Sequence, residues 1–485
     1  MKHQVDLVPG ELELRQLKSC CNRDRDNVDC RFLRFVTLLI ATCCPAITTA
    51  KPSILIIVAD DLGYSDVGFN GGKVIATPNL DRLAATGVTL TDFRACPMCS
   101  PTRAGLLTGR WPLRFGMMRA VVPPWSPHGL PAEENTLAEL LAREDYAQRG
   151  IVGKWHLGQA RREFLPLAHG FTHFYGHYSG AIDYFSHERE GERDWHNNDR
   201  TSREKGYATD LLGAEAARFI RDAPEGRPWF LYVPFNAPHA PYQAKQEDLE
   251  KYSQIKRPDR RAYAAMVDSM DQAIGRILDA VEGRPDAANT LTLFFSDNGG
   301  VSRVSSNAPY RGAKLTVYEG GTRVCAAIRW PAGGLRSGKR FDGRIGYIDV
   351  LPSLLAAAGS SAPPNLDGID FLPALRGDAS LPERPWFSYL HQGRDAHASV
   401  HFAKWKLVAH GDFFAHQPPT VPTLELYDLA NDPAETTDLA AKQPDVVAQL
   451  HGRLRQFGAW QNPRVGPFRE GRQGFVAPKD WLITE

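Results

Sequence analysis

Short apolar runs alternate along this chain with longer stretches in which apolar residues recur every three or four positions. Residues 54–58 and 291–295 form short runs rich in branched or aromatic side chains, which is typical of strands buried on both faces. Residues 261–281 instead show helical spacing, with apolar side chains at Tyr263, Met266, Val267, Met270, Ile274, Ile277, Leu278 and Val281. Strands that alternate with helices predict an α/β fold with a mostly parallel sheet.

Acidic side chains follow both strand-like runs. Asp60 and Asp61 come directly after the first run, and Asp297 and Asn298 follow the second. Binding sites in parallel sheets lie beyond the carboxyl ends of the strands, so we expect these side chains to meet. Either pair alone could cap a helix, but gathered carboxylates need a cation, and hard oxygen ligands favour Ca²⁺ or Mg²⁺ over zinc.

Cationic and imidazole side chains follow other predicted strands. Lys154 and His156 lie just beyond an apolar run in RGIVGKWHLG, and His239 lies between prolines in PWFLYVPFNAPHAPY. Lys314 lies in the glycine-punctuated segment NAPYRGAKLTVYEGGTR. With a metal, these residues suit a tetrahedral oxyanion such as sulfate or phosphate, because lysines neutralise its oxygens and a histidine can protonate the leaving oxygen.

The segment CPMCSPTRAGLLTGR places Cys96 and Cys99 three positions apart. Such a pair can be half of a zinc site or a redox dithiol, and a third interpretation is that only Cys99 carries chemistry. Pro101 suits the first turn of a helix that residues 104–107 would continue. The N-terminus of that helix would favour negative charge beside Cys99.

The two ends of the chain differ from its centre. Residues 31–50 combine arginines, a short apolar run and small residues, which predicts a secretory signal ending near Ala50; a buried N-terminal helix is the alternative. Five of the eight cysteines precede Lys51, so the remaining chain is no disulfide scaffold. After about residue 375, short strand-like runs and one amphipathic stretch predict a small antiparallel sheet with a packed helix. We therefore divide the chain into 1–50, 51–375 and 376–485.

Composition and charge argue against several classes of function. The 485 residues are 43% hydrophobic and 23% charged, which is ordinary for a globular protein, and the formal net charge is +1. No long basic run is present, which argues against a nucleic-acid or anionic-membrane partner. The apolar run before Ala50 is too short and interrupted for a stable membrane span, so we expect a secreted or periplasmic protein and disfavour a lipoprotein.

The segment CSPTRAGLLTGR resembles the sulfatase signature, Cys-x-Pro-x-Arg with a Leu-Thr-Gly-Arg extension. The blocks ADD, GKWHLG, PHAP, SDNGG and RGAKLTVYEGGTR are similar to other sulfatase blocks and follow in the same order. The resemblance extends from about Lys51 to at least Ala440 and is strongest to the arylsulfatase B-like branch, whose members include enzymes acting on 4-sulfated N-acetylgalactosamine. It implies an alkaline-phosphatase-like fold, with the catalytic domain at 51–375.

The resemblance also implies roles for single residues. The metal, usually Ca²⁺ with Mg²⁺ as the alternative, would be bound by Asp60, Asp61, Asp297, Asn298 and the modified Cys99. A formylglycine-generating enzyme would convert Cys99 to formylglycine, and Arg103 would hold it. Lys154 and Lys314 would contact sulfate, His156 would serve the formylglycine hydroxyls, and His239 would protonate the leaving alcohol.

The chemistry implied is hydrolysis of a sulfate ester, of a sulfated saccharide or an aryl sulfate. One hydroxyl of the hydrated aldehyde attacks sulfur, and the other lets the intermediate collapse and eject sulfate. The alternatives are a formylglycine-dependent phosphodiesterase or phosphonate hydrolase, a non-catalytic protein that binds sulfated glycans, and a thiol redox protein. Residues 123–131 and 178–199 are candidate specificity loops, in which six side chains could contact a sugar or pack within the loop: Trp125, His128, Asp183, Tyr184, His187 and Trp195.

Overall fold

A computed structural model describes residues 50–336, 338–392, 395–411, 422–462, 466 and 468–484. Lys51–Glu485 form one compact unit. The predicted signal lies outside the described residues, apart from Ala50. In the described part of the chain, no helix combines the length and apolar character needed to cross a bilayer.

The strands and helices alternate in the order that the apolar pattern predicts. The strands are β1 Ser53–Ala59, β2 Val88–Leu90, β3 Phe93–Arg94, β4 Gln148–Lys154, β5 His173–His177, β6 Glu188–Arg189, β7 Glu192–Arg193, β8 His196–Asn197, β9 Arg200–Thr201, β10 Trp229–Pro234, β11 Thr290–Ser296, β12 Arg323–Val324, β13 Ala326–Arg329, β14 Lys339–Phe341, β15 Ile345–Gly346, β16 Trp386–Gln392, β17 Asp395–Phe402, β18 Trp405–His410 and β19 Thr423–Asp428. The helices are α1 Pro78–Thr86, α2 Cys99–Thr108, α3 Leu137–Ala142, α4 Ala208–Asp222, α5 Gln246–Lys251, α6 Pro258–Glu282, α7 Glu319–Thr322, α8 Val350–Ala357, α9 Leu372–Arg376 and α10 Pro444–Gly458.

One large mixed sheet organises the fold. Among the described residues it has ten strands in the order β14-β2-β13-β11-β1-β10-β4-β5-β8-β9. The central five, β11-β1-β10-β4-β5, are parallel. They are flanked by two antiparallel neighbours, β13 beside β11 and β8 beside β5. This confirms the predicted α/β fold with a mostly parallel sheet.

Both faces of the sheet are buried, as the run at 54–58 predicts. Ile54, Ile56 and Val58 of β1 pack into a cluster with residues of α2, α3 and α8. Leu55 and Ile57 point to the other face, where they join residues of α4 and α6. Since successive side chains of a strand alternate between faces, a strand covered by helices on both sides must be apolar throughout.

A separate antiparallel sheet follows the large one. Its strands lie in the order β16-β17-β18-β19 and pair in antiparallel register. Leu450, Leu454 and Phe457 of α10 are buried against it in one apolar cluster. The small C-terminal sheet with a packed helix is thus confirmed, while the domain boundary near residue 375 stays a prediction.

Two glycines within helices test how tightly α2 is packed. A Cβ added at Gly105 would meet Cε2 of the buried Tyr347 ring at 2.1 Å, whereas one at Gly452 of α10 would have no atom within 4 Å. We expect Gly105→Ala to lower the thermal unfolding midpoint despite the better helix propensity of alanine. Gly452→Ala is the matched control and should raise stability by about 0.5–1 kcal/mol. Equal shifts in both variants would contradict the close packing of α2.

Candidate active site

The parallel strands bring the sequence-predicted site residues to one edge of the sheet. Asp60 directly follows β1, Asp297 directly follows β11, and Lys154 is the last residue of β4. Ala59 pairs with Ser296 in the register of β1 and β11, so the two acidic pairs leave the sheet at the same level. His239 lies on the loop after β10, the other neighbour of β1.

Buried ion pairs hold the floor of the site. Arg103 of α2 donates to Asp297 Oδ2 from Nε at 3.0 Å and from Nη2 at 2.8 Å. Lys154 Nζ donates to Asp60 Oδ2, and Arg103 Nη2 lies 3.7 Å from the same oxygen. The side chains of all four residues are fully buried. Arg103 therefore links α2 to two strand ends, and its nearest described partners are carboxylates.

A second group surrounds Asp61. Lys314 Nζ lies 2.7 Å from Asp61 Oδ1, and Asn298 Nδ2 donates to that oxygen at 2.8 Å. His239 Nε2 lies 3.7 Å from Asp61 Oδ2, while its Nδ1 donates to the carbonyl oxygen of Ala240 at 2.5 Å. A carbonyl oxygen only accepts, so Nδ1 carries a proton and Nε2 faces the site.

The residues present fit a hard divalent cation. Asp60, Asp61, Cys99 and His239 each offer a ligand atom, and these atoms lie within 4.8 Å of one another. Asp60 Oδ1 and Asn298 Oδ1 are buried acceptors without a hydrogen-bond partner among the described residues. Buried oxygens rarely lack a partner, and Ca²⁺ and Mg²⁺ take oxygen ligands of this kind. The group includes His239, which the sequence analysis places near the leaving alcohol instead.

Three carboxylates and three cationic side chains are buried together at this site, and their charges shift the pKa values of several of these groups. Burial and the charge of Asp60 together raise the pKa of Asp297 to about 7. Burial also opposes the charge on Asp60, yet Lys154, His239 and Arg103 hold the pKa of Asp60 well below its usual range. Burial works against the charge of Lys314 as well, but Asp61 keeps the pKa of Lys314 well above its ordinary value.

The two cysteines of the C-x-x-C pair have separate environments. Cys99 is the first residue of α2 and lines the site pocket, whereas Cys96 Sγ donates to Tyr347 Oη at 3.1 Å. Both are free thiols, and burial raises the pKa of each to about 12. A thiol with such a pKa is protonated at neutral pH and is a poor nucleophile. The structure thus separates Cys96 from the site, which disfavours the zinc and dithiol interpretations.

His156 depends on neighbours that sequence reasoning missed. A Cβ on Gly180 would lie 2.3 Å from His156 Nε2, so glycine leaves the space that the imidazole fills. Ser100 Oγ donates to the carbonyl oxygen of His156 at 2.9 Å and accepts from the Val122 N–H at 3.0 Å. Burial, with Lys154 nearby, holds the pKa of His156 well below its usual value. Ser100 occupies the first of the two variable positions in the Cys-x-Pro-x-Arg signature, and that place in the motif was the only sequence signal for its role.

A pocket of about 450 Å³ opens above this charged floor. Cys99, His156, His239 and Lys314 all line it. Its remaining lining is mostly apolar and includes Val121, Pro124, Ala181, Pro241, Leu315 and Phe468. The pocket can therefore hold an anionic group at its charged end and a less polar body beside it.

The two candidate specificity loops contribute to the pocket, but through other residues than those singled out. None of the six named side chains lines the pocket; Pro124, Gly180, Ala181 and Arg189 from the same loops do. Trp125 packs on Phe468 at 5.0 Å, and His187 stacks on Trp195 at 4.4 Å. Five of the six are packed or hydrogen-bonded within the protein, whereas His128 is exposed.

Comparisons with known proteins agree with this geometry. The family model described as Sulfatase matches residues 52–360, and that described as N-sulphoglucosamine sulphohydrolase, C-terminal, matches residues 313–459. Arylsulfatase A of Homo sapiens is 33% identical over 85% of this chain and 89% of its own length. N-acetylgalactosamine-6-sulfatase of Canis lupus familiaris is 35% identical over 70% and 68%.

A solved structure extends the likeness to three dimensions. The crystal structure of Ps i-CgsB has a TM-score of 0.80 and 32% identity, and covers 87% of this chain and 95% of that chain. The same protein in complex with k-i-k-neocarrahexaose gives a TM-score of 0.79 at 31% identity, over 87% and 95%. This chain belongs to the sulfatase family. It is a sulfuric ester hydrolase, while its place in the arylsulfatase B-like branch stays a prediction.

The separation of the two cysteines predicts unequal effects of their removal. We expect Cys96→Ala to keep most of the hydrolysis of 4-nitrophenyl sulfate, because Cys96 contacts Tyr347 rather than the site. Cys99→Ala should abolish hydrolysis while the thermal unfolding midpoint stays close to that of the parent protein. Steady-state rates of the two variants provide the measurement, and an equal loss of activity in both would restore the dithiol or zinc interpretation.

Proposed function

We propose that this protein cleaves sulfate esters of saccharides, using a formylglycine formed from Cys99 and a bound divalent cation, Ca²⁺ or alternatively Mg²⁺. The observation that carries the proposal is the shared pocket of Cys99, His156, His239 and Lys314 above the buried carboxylates. Cations and an acid at one end of a pocket whose other lining is mostly apolar suit an ester between a sulfate and a sugar alcohol.

The active-site residues have distinct roles in this proposal. When present, the cation would polarise a sulfate oxygen and the aldehyde hydrate would supply the nucleophilic hydroxyl. Asp60, Asp61, Asp297 and Asn298 would hold the cation. Lys154 and Lys314 would neutralise the sulfate oxygens.

The two histidines, His156 and His239, would carry out the proton transfers. His156 would receive or return a proton at the residue-99 hydroxyls, and His239 would give a proton from Nε2 to the leaving alcohol. Arg103 acts from below the pocket, because its bonds to Asp297 and to the Lys154 carbonyl oxygen fix the start of α2. The apolar walls would exclude bulk water and strengthen these charge interactions.

The choice of a saccharide rests on relatives and on the pocket. Ps i-CgsB has been crystallised with a neocarrahexaose, and two relatives are named N-acetylgalactosamine-6-sulfatase and arylsulfatase A. A lining of aliphatic and aromatic side chains suits the less polar face of a sugar ring. Membership of the arylsulfatase B-like branch, whose members include enzymes acting on 4-sulfated N-acetylgalactosamine, stays a prediction.

The proposal includes a maturation step and a location. Formation of formylglycine at Cys99 requires a formylglycine-generating enzyme as a transient partner. Export through the predicted signal at residues 31–50, within the N-terminal segment 1–50, would make the protein secreted or periplasmic. Residues 51–375 would form the catalytic domain and residues 376–485 the small C-terminal one.

Production with and without a formylglycine-generating enzyme tests the proposed function. With that enzyme, mass spectrometry of the peptide containing position 99 should show the thiol replaced by an aldehyde, and 4-nitrophenyl sulfate should be hydrolysed. Without it, we expect the cysteine to persist and activity to be lost. Activity in protein with wholly unmodified Cys99 would contradict the mechanism, and faster cleavage of a phosphate diester would favour the phosphodiesterase alternative.

The role of His239 predicts a dependence on the leaving group. A sugar alkoxide leaves poorly and needs a proton, whereas nitrophenolate leaves well without one. We expect His239→Ala to slow cleavage of a sulfated sugar about 10²–10⁴-fold more than cleavage of 4-nitrophenyl sulfate. The ratio of the two kcat values, relative to the unsubstituted enzyme, is the measurement.

Lys314→Ala is the matched comparison for that experiment. Lys314 would contact the sulfate that both substrates share, so its loss should slow both to a similar degree. Equal slowing of the two substrates by His239→Ala would instead assign His239 to the cation group, where it lies 3.7 Å from Asp61.

A further inference from the structure

One wall of the active-site pocket carries an arginine that the proposed chemistry does not use. Arg189 lies at the end of β6, in the hairpin of β6 and β7, and lines the same pocket as Cys99. It is the only arginine among the described residues that line this pocket. Its main chain is fixed, because the indole N–H of Trp481 donates to the Arg189 carbonyl oxygen at 3.0 Å.

The protein neutralises the charge of Arg189 only in part. Its described ion pair is to the neighbouring Glu190, with Nη2 3.4 Å from Oε1, and both side chains are about a quarter exposed. Its buried Nε has no hydrogen-bond partner among the described residues. By contrast, Lys154 and Lys314 at the pocket floor each bond to a carboxylate. Arg189 is thus a cation at the pocket with unused donors.

A second arginine increases the positive potential on this side of the pocket. Arg472 is exposed, and its guanidinium lies 5.1 Å from the centre of the Trp125 ring, which packs in turn on the pocket residue Phe468. Burial lowers the pKa of Arg189, and the charge of Arg472 lowers it further against the opposing effects of Glu190 and Asp194. Two cations with incomplete compensation attract an anion to this wall.

The pocket beside Arg189 is shaped for a ring rather than for a lone ion. Leu315 and Phe468 line it, and Leu315 keeps 40% of its surface exposed. Leu315 also has a backbone φ of 67°, a costly conformation for a leucine that the hydrogen bond from its N–H to the Pro97 carbonyl oxygen helps to hold. An apolar ring contact next to a cation matches a sugar that carries a second charged substituent.

We propose that Arg189 binds a second anionic group, a sulfate or a carboxylate, on the saccharide whose sulfate ester is cleaved. This proposal rests on the proposed function and narrows its substrate class to polyanionic saccharides. A guanidinium matches both groups, because its planar donors bond two oxygens of either anion. Arg189 determines substrate specificity in this proposal. The sulfate ester that is cleaved is bound by Lys154 and Lys314 at the pocket floor.

The test compares substrates that differ by one anionic group. Wild-type enzyme and Arg189→Gln are assayed for kcat/KM on monosulfated and disulfated neocarrabiose, and on a sulfated uronate-containing disaccharide with its carboxylate free or methyl-esterified. We expect wild type to prefer the member with the extra anion within at least one pair. Arg189→Gln should reduce that preference by about 10- to 100-fold, which is the scale of a hydrogen bond to a charged group. The pair that responds distinguishes a second sulfate from a carboxylate.

Two further variants separate recognition from general damage. Arg189→Lys keeps the charge but loses the paired donors, so it should fall between wild type and Arg189→Gln. Arg218 of α4 is half-exposed, pairs with Glu215 in the same helix and does not line the pocket, so Arg218→Gln should keep the wild-type preference.

Two results would overturn the proposal in distinguishable ways. If wild type hydrolyses 4-nitrophenyl sulfate but shows no preference for the extra anion in either pair, or if Arg189→Gln and Arg189→Lys keep that preference, the Arg189 site is wrong and the sulfatase function stands. If the formylglycine-bearing enzyme cleaves neither the aryl sulfate nor any of the sugars, the proposed function fails, and the Arg189 site fails with it.

Discussion

Two fully buried ion pairs, Arg103 with Asp297 and Lys154 with Asp60, hold together the edge of the sheet on which the active site is built. Removing one partner of such a pair leaves an uncompensated charge in the interior, at a cost of about 3–5 kcal/mol. The four side chains connect α2 to the ends of β1, β4 and β11, so the nucleophile position and the acidic residues share one rigid base. The same groups are needed for the fold and for the chemistry.

The small C-terminal sheet supports the site, although none of its described residues lines the pocket. Arg311 donates to the carbonyl oxygen of Glu435 at 3.0 Å, and the Glu319 N–H donates to Glu435 Oε2 at 2.6 Å. Lys406 of β18 lies 2.9 Å from both glutamates. These contacts bracket the segment that carries Lys314, so the position of that lysine depends on residues more than 90 positions further along the chain. A buried network of this kind fixes a loop that has no regular structure of its own.

Three residues of the active site have strained backbone. Asp61, His156 and Leu315 adopt positive φ angles of 67°, 58° and 67°, a region in which residues with a Cβ are crowded. Each is held by the surrounding structure: the Asp61 N–H faces Asp297 Oδ1 at 3.4 Å, and the His156 and Leu315 N–H groups donate to main-chain oxygens. The folded protein offsets this local cost because it aims these three side chains at one place.

The sequence by itself determined the sheet, the acidic strand ends and the residues of the charged floor. Parallel strands buried on both faces have a recognisable apolar pattern, and their carboxyl ends must meet, so Asp60 and Asp297 could be placed together from local signals alone. Only the tertiary structure decided that Cys96 bonds to Tyr347 rather than to Cys99, that Trp125 packs on Phe468 and Trp195 on His187, and that Arg189 lines the pocket. The physical reason is that side-chain direction in irregular segments has no period. It is set by contacts with residues distant in the sequence, such as Tyr347 for Cys96 and Phe468 for Trp125, that no local pattern encodes.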